Sequence, residues 1–548
     1  MRSNMMTVTR HKLLALFGLL IALHVPHMAT AAEPFQWDSR VQRGQLANGF
    51  SYYIVSGGKE MGSQVALQLM VRVGSLDETN DQSGVAHMVE HMVFHTTKSH
   101  PEGLKNYMEG LGWRIGRHYN AQTNFERTLY QLTTDKKPQR IDAGLGVLAD
   151  IAGGALIPAD GLERERQIIL EEWRTKLGVR ERMDKQRRAM LREGSLYPER
   201  PTIGTDASIR QQPAQALRKF YADWYRPANM ALIIVGNVDV ETLRPRIERA
   251  FGSLVPAALP GRNAADPHLR DQLRITRLQD PESGTSQVGW VTRFAADKRQ
   301  DGAGLRERII DRIAERSLRA LVRQAAEELP SGVSSLSSSR GELGESTSSL
   351  GFAASVAIDG HKAGLREILS VQERVRREGL RADDIRKEIA EVRRLNEKGP
   401  AQQAARDFSG WLQMLDEAVE SNRPLQDPLQ KQAQITRILD DLNPADINAR
   451  VRQWIDAPDR VLFLIAPGLS PLTLPSAVEV GSLQQELAQR PLAPLAGIKK
   501  DVAPARMADI ASGGAIVRDD DLGEGVRRWT LQNGDALIWR HAPKDTVM

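Results

Sequence analysis

The sequence predicts an α+β protein of two similar units followed by the beginning of a third. Three observations predict it. Apolar runs of strand length recur between Arg/Glu-rich stretches that read as helices. A proline, an apolar strand and a glycine close each unit, at Pro227 to Gly236 and again at Pro458 to Gly468. The opening Arg43-Gly44-Gln45-Leu46-Ala47-Asn48-Gly49 returns as Arg528-Trp529-Thr530-Leu531-Gln532-Asn533-Gly534, and an apolar strand pattern follows both. Weak internal duplication is the economical reading, and 548 residues suffice for two or more large domains.

Residues 1–31 read as a cleaved secretory signal. Arg2, Arg10 and Lys12 form a basic start without acidic residues, Leu13 to Leu23 is too short to span a bilayer, and Ala29-Thr30-Ala31 is a cleavage site. A retained membrane anchor is the alternative. Removing this segment takes the formal charge from +5 to +2, so the basic balance gives little support for nucleic-acid binding. No later apolar run is long enough to span a membrane, so after signal cleavage no membrane partner is expected. The chain has no cysteine, which for an exported protein means packed cores in place of disulfides and suits a bacterial periplasm.

The first unit, residues 32–256, opens with the turn Leu46-Ala47-Asn48-Gly49 into a strand at Phe50–Val55, continues with Val65–Val73 and closes with Met230–Val235. A Pro/Ala/Gly-rich linker covers 257–272. The second unit, 273–468, carries strands at Val288–Phe294, Phe352–Ile358 and Val461–Ala466. Its helices, around Leu305–Leu329 and Leu380–Leu395, read as solvated faces over a core. Residues 469–525 read as a second linker and 526–548 as the truncated start of a third unit. A C-terminal strand that pairs with an earlier unit is the other reading of that last stretch.

The most informative stretch is His87-Met88-Val89-Glu90-His91. On a helix, two histidines four apart share a face, so both imidazoles reach one Zn²⁺, and Glu90 lies beside it as a general base for water. The order reverses the commoner H-E-x-x-H, the arrangement called an inverzincin. Ser83-Gly84 supply a turn and an N-cap, and Val85, Met88, Met92 and Val93 give an apolar stripe. His95 falls off the ligand row at the helix end, and His100 lies in a loop. An amphipathic helix with satisfied histidines is the plainer alternative.

Two imidazoles hold zinc poorly, and a catalytic site needs a third ligand. A helix beginning near Asp160, with Asp160 and Glu163 as a capping box, carries Glu165 and Glu172 two turns apart on one face, while Glu171 points elsewhere. On spacing alone, a solvated acidic face mixed with Arg164, Arg166 and Arg174 is the favoured reading.

Taken together, these stretches resemble the pitrilysin/insulinase metallopeptidases. Ser83 to Phe94 is similar to that family's signature helix, and Glu163-Arg164-Glu165-Arg166-Gln167-Ile168-Ile169-Leu170-Glu171-Glu172 to its second signature. The resemblance implies αβ-sandwich units, with helices packed on mainly antiparallel sheets. It implies one Zn²⁺ per chain held by His87, His91 and Glu172, Glu90 as the base, and Glu165 as a carboxylate that orients the ligands. Asn120-Ala121-Gln122-Thr123 resembles the family's edge strand, where Asn120 and Ala121 meet an extended substrate by β-augmentation. Pro201 to Thr205 and Phe220 to Pro227 also resemble family stretches and read as packing and turns. The second unit lacks H-x-x-E-H and is implied to be non-catalytic.

Family chains have four such units in a clamshell whose later half supplies an Arg and a Tyr for substrate, and no residue here takes those roles. The expectation is a zinc-dependent endopeptidase acting on peptides or unfolded protein segments in the periplasm, partnered by a second peptidase half or a homodimer. A non-catalytic or partner-dependent half, serving as an assembly subunit, is the alternative.

Overall fold

In this computed structural model, residues 35–58, 61–262, 264–491 and 515–540 are described; the expected signal segment lies outside them. The chain divides into two compact units, residues 1–490 and 491–548.

The larger unit is built on two sheets. The first contains β1 (Val41–Gln45), β2 (Ser51–Ser56), β3 (Gln64–Val71), β4 (Tyr119–Thr123), β5 (Thr128–Asp135) and β6 (Met230–Gly236) in the order β1-β2-β6-β3-β5-β4. The second contains β7 (Leu273–Leu278), β8 (Gln287–Ala295), β9 (Val333–Glu342), β10 (Thr347–Val356) and β11 (Asp459–Ile465) in the order β7-β11-β8-β10-β9. Without β1 the two orders correspond strand for strand. The single parallel pair falls in the same place in both, β2 with β6 and β7 with β11. The α+β class and the duplication are therefore present, and the strands that close each half, β6 and β11, occupy equivalent positions.

Helices α1 (Val85–Met92), α2 (Leu104–Gly110), α3 (Pro138–Gly153), α4 (Ala159–Thr175), α5 (Val179–Leu191), α6 (Asp206–Gln211), α7 (Ala214–Trp224) and α8 (Val240–Phe251) belong to the first half. Helices α9 (Gly302–Ala325), α10 (His361–Glu378), α11 (Ala382–Ala404), α12 (Phe408–Glu420), α13 (Pro428–Asp441), α14 (Pro444–Ile455) and α15 (Ala477–Gln489) belong to the second.

The halves exchange helices. One face of the first sheet packs on its own α1, α3, α7 and α8 through residues such as Leu67, Leu69, Leu232 and Ile234. The opposite face, with Met70, Leu129, Ile233 and Val235, is covered by Trp411, Leu415 and Val419 of α12 from the second half. In return, Met183 of α5 packs on Leu278, Val291, Val461 and Phe463 of the second sheet. Because successive strand residues point to opposite faces and both faces are covered, β6 is apolar and buried throughout.

A buried ion pair holds the exchange in place. Arg293 on β8 grips Asp459 on β11 with both Nε (2.9 Å) and Nη2 (2.6 Å). Its Nη1 donates to the carbonyls of Leu191 and Glu193 at the end of α5, and Asp459 also accepts the Arg270 N–H. Both side chains are buried.

Three expectations change. The stretch after residue 468 is not a plain linker: α15 forms there, capped by a Ser476–Glu479 box and burying Val480, Leu483 and Leu487. The N-cap of α4 is Pro158, so Asp160 and Glu163 do not make the expected box; they pair instead with Arg164 and Arg166. The smaller unit begins earlier than residue 526. Its sheet comprises β12 (Ile516–Gly523), β13 (Val526–Leu531) and β14 (Ala536–Arg540) in sequence order. The β1–β2 pairings Val41↔Val55 and Gln45↔Ser51 recur in β13–β14 as Val526↔Arg540 and Thr530↔Ala536, at a constant offset. The repeated Asn-Gly turn thus sets the same register twice.

Asp459→Ala leaves the Arg293 guanidinium buried without its counter-ion and should cost about 3–5 kcal/mol of stability by chemical denaturation. The double replacement Arg293→Met with Asp459→Leu removes both buried charges and leaves Arg274, which also pairs with Asp459, its second partner Glu193, so it should cost less. Equal losses in the two proteins would mean the pair is not what locks the halves.

Candidate metal centre

The site starts from α1, an eight-residue helix buried along almost its whole length. So short a helix is not stable alone, and its position is set by what it packs against. Its N-cap is Gly84 with φ +82°, which has no side chain to cap with. Gly84 is the N-cap that Ser83-Gly84 predict, and the acceptor it lacks comes from outside: the buried Glu78 carboxyl group accepts from the N–H groups of Gly84 (3.0 Å) and Ala86 (2.9 Å). Gly204, also at positive φ, lies against Gly84, and a Cβ on Gly84 would come within 2.9 Å of the Gly204 Cα.

Helix α4 brings the third carboxylate to this helix. Glu172 Oε2 lies 3.5 Å from Nε2 of His87 and 3.5 Å from Nε2 of His91, and the three donor atoms fall within 4.8 Å of one another. Bonds of about 2.0–2.1 Å in a tetrahedral zinc site put neighbouring donors about 3.4 Å apart, so these residues fit the ion. Two imidazoles and one carboxylate are also the donor set of a catalytic zinc centre, with a position left open. Glu171, in contrast, pairs with Arg174 on the exposed side.

Glu165 stands behind His91. Its Oε1 bonds His91 Nδ1 at 2.8 Å, and its Oε2 bonds His95 Nε2 at 2.8 Å. His87 Nδ1 is buried without such a partner, so the carboxylate orients one imidazole of the pair. Burial drives His87 down to about 3. Burial also works against a charge on His91, but hydrogen bonds to Glu165 and Glu172 outweigh it and hold this ring up to about 9. The hydrogen bond with His91 pulls Glu172 down to about 2.

Glu90 is buried beside the triad, and burial pushes its carboxyl upward. Its Oε2 accepts the Thr123 hydroxyl at 2.6 Å, which ties it to β4. That strand is the edge of the first sheet. Thr133 N–H bonds the His118 carbonyl and Asn124 N–H the Arg127 carbonyl. By the alternation of an antiparallel ladder, the main chain of Asn120 and Gln122 turns toward β5, while that of Ala121 and Thr123 faces the open edge. Asn120, Ala121, Glu90, Glu165 and the triad line one cleft of about 610 Å³.

Four residues bonded to the candidate site escaped the sequence reading: Glu78, His95, Thr123 in its bond to Glu90, and Lys176, which pairs with Glu172. Only Lys176 had a local signal, an i,i+4 Glu–Lys spacing.

Residues 53–193 match the model of the family Insulinase (Peptidase family M16), and residues 213–392 match that of the Peptidase M16 inactive domain. The chain belongs to the insulinase family. It is 26% identical over 440 residues to the probable zinc protease PqqL of Haemophilus influenzae, a match covering 79% of this chain and 47% of that protein. It is 32% identical over 295 residues to PqqL of Escherichia coli, covering 53% and 31%. Among solved structures, a variant of the ferredoxin protease FusC in complex with Arabidopsis ferredoxin superposes with a TM-score of 0.80 at 36% identity, over 92% of this chain and 56% of that one. The periplasmic protease PqqL from Escherichia coli, at 22% identity, shares the fold with a TM-score of 0.78 over 94% of this chain and 57% of its own. The chain thus spans about half the length of these relatives.

Glu78 should give the anchoring of this insulinase-family helix a pH dependence. Burial pushes its carboxyl from 4.5 up to about 8, against the pull of the Ala86 and Gly84 N–H groups. The folded protein therefore holds a proton there that the unfolded chain releases, and stability should fall as pH rises from about 5 to 8. Glu78→Gln should flatten that slope in thermal denaturation at several pH values. An unchanged slope would show the group to be already ionised in the fold.

Proposed function

We propose that the protein is a zinc-dependent endopeptidase that hydrolyses peptides or unfolded protein segments in the periplasm. One observation carries this reading: a buried carboxylate, Glu90, shares a cleft with two imidazoles and a carboxylate at zinc-donor spacing and with an open strand edge. His87, His91 and Glu172 hold one Zn²⁺ per chain, and Glu165 orients His91. Zinc in such a donor set supplies Lewis acidity, acidifying water and polarising the scissile carbonyl. An extended substrate adds to β4, its main chain pairing with Ala121 and its flank passing Asn120. Glu90 keeps the Thr123 hydroxyl on Oε2, so Oε1 is free to take the proton of the attacking water and deliver it to the leaving amine nitrogen.

The basic and apolar start of the sequence, which reads as a secretory signal, supports the periplasmic assignment, as does the likeness to the periplasmic protease PqqL from Escherichia coli. The ferredoxin bound to the similar FusC makes a small protein a substrate class to test beside peptides. Family relatives are about twice as long, and we propose that a second peptidase half, or a second copy of this chain, completes the cleft in the working enzyme.

Glu90→Gln should retain zinc, measured by metal analysis, while peptide hydrolysis falls by ~10²–10⁴-fold or more. Near-normal turnover in that protein would remove Glu90 from the chemistry. Replacing His87, His91 or Glu172 by Ala should each abolish stoichiometric zinc; full occupancy in Glu172→Ala would transfer that role to another carboxylate. If zinc binds but no added partner half or peptide yields hydrolysis, the assembly-subunit reading takes precedence.

A further inference from the structure

Glu172 uses its two oxygens differently. Oε2 faces Nε2 of both histidines at 3.5 Å, whereas Oε1 accepts a 2.6 Å hydrogen bond from Lys176 Nζ. Lys176 is the C-cap residue of α4, one turn after Glu172, where the negative end of a helix favours a cation, and it lines the same cleft. Thr175 Oγ1 bonds the Glu172 carbonyl, which tightens this last turn. Glu172 is not held by burial: a third of its side chain is open to solvent. With both oxygens free, such a carboxylate can grip a divalent cation through two atoms, and the second atom would enter the position that water or a substrate carbonyl needs.

We propose that Lys176 is a positioning residue that occupies Glu172 Oε1 and so makes Glu172 a one-oxygen ligand, keeping the remaining metal position open for chemistry. This rests on the metal-centre reading given above. Half-exposed ion pairs are weak, but this one has only to choose between two orientations of one carboxylate.

The consequences have opposite signs. Removing the lysine frees Oε1 and takes a cation away from the neighbourhood of a dication, so metal should be held at least as tightly. Turnover should fall, because the open position is then contested. A lysine that merely kept the end of α4 folded would, when removed, weaken both.

The test uses the full chain with Lys176→Met and Lys176→Arg. Zinc affinity is measured by competition with a chromogenic chelator, and coordination by the visible absorption of the Co²⁺-loaded protein. For Lys176→Met we expect zinc affinity unchanged or tighter and a weaker Co²⁺ absorption, as coordination number rises. We also expect kcat lower by ~10–100-fold with little change in KM. Lys176→Arg should restore both spectrum and kcat. Weakened zinc binding in Lys176→Met, or a Co²⁺ spectrum identical to that of the unmodified chain, overturns the proposal. Spectrum and affinity decide the matter even where turnover is too slow to follow. An unmodified chain that takes up neither metal overturns the metal-centre reading and this inference with it, whereas a failure confined to the variants removes only the lysine's role.

Discussion

Every distance at the centre is reckoned from the first turn of α1. His87, Glu90 and His91, the two proposed ligands and the proposed base, ride on eight residues, so a shift or rotation of that helix moves all three together. Its own hydrogen bonds cannot fix it, because its N-cap is a glycine and its length is barely two turns. The fix comes from outside the helix. Glu78 holds the N–H groups of Gly84 and Ala86, and Arg200 in turn donates to the Glu78 carbonyl at 3.0 Å. The close approach of Gly84 and Gly204 leaves no room for a side chain on either. At the other end, Glu165 ties His91 to His95, so the segment just past α1 is drawn to the same carboxylate as the second ligand.

The second half, which carries no ligand, has a physical part in this arrangement. Helix α12 seals the back of the sheet whose front carries α1. From the same helix, Asp416 and Glu420 take the Arg127 guanidinium at 3.0 and 2.8 Å. Arg127 sits in the turn between β4 and β5, next to the strand whose Thr123 holds Glu90. A chain of contacts thus runs from α12 through the β4–β5 turn to Glu90. Loss of the second half would slacken the edge strand and Glu90 together.

Legibility in the sequence followed how local each determinant is. The H-x-x-E-H spacing needs nothing beyond helical periodicity, so His87, Glu90 and His91 could be read directly, and the closing strands were plain because both faces of β6 are buried. Spacing alone could not separate Glu172 from a solvated acidic face; that took resemblance, since the partner of Glu172 is another helix. The cap of α1 was read at Ser83-Gly84 and stands at Gly84, but the side chain that accepts its N–H groups was missed because Glu78 reaches it across a loop. His95 lies off the ligand row as expected, yet it bonds Glu165, which no rule of helical rotation could reveal. Strand β9, Val-Ser-Ser-Leu-Ser-Ser-Ser-Arg-Gly-Glu, escaped because an edge strand that faces solvent needs few apolar residues. Helix α15 was legible and overlooked: Ser476 and Glu479 are a capping box in a stretch whose Pro and Ala content suggested a linker.

The repeated opening hairpin shows how strongly a short turn can dictate structure. Leu46-Ala47-Asn48-Gly49 and Leu531-Gln532-Asn533-Gly534 each turn at a glycine with positive φ, at +91° and +89°. A turn of fixed length and handedness leaves the flanking strands one pairing, and the two hairpins accordingly share their register. What surrounds them differs. β2 continues into the sheet by pairing in parallel with β6, and Ile54 and Val55 are buried as a result. Among the described residues β14 pairs only with β13, and Leu537 and Ile538 remain exposed. At the shared offset Leu537 and Ile538 stand where the half-buried Tyr52 and Tyr53 stand in the first copy, and Trp539 and Arg540 stand where Ile54 and Val55 are buried. Local turn chemistry fixes the register, and burial is decided separately by the strand that pairs alongside.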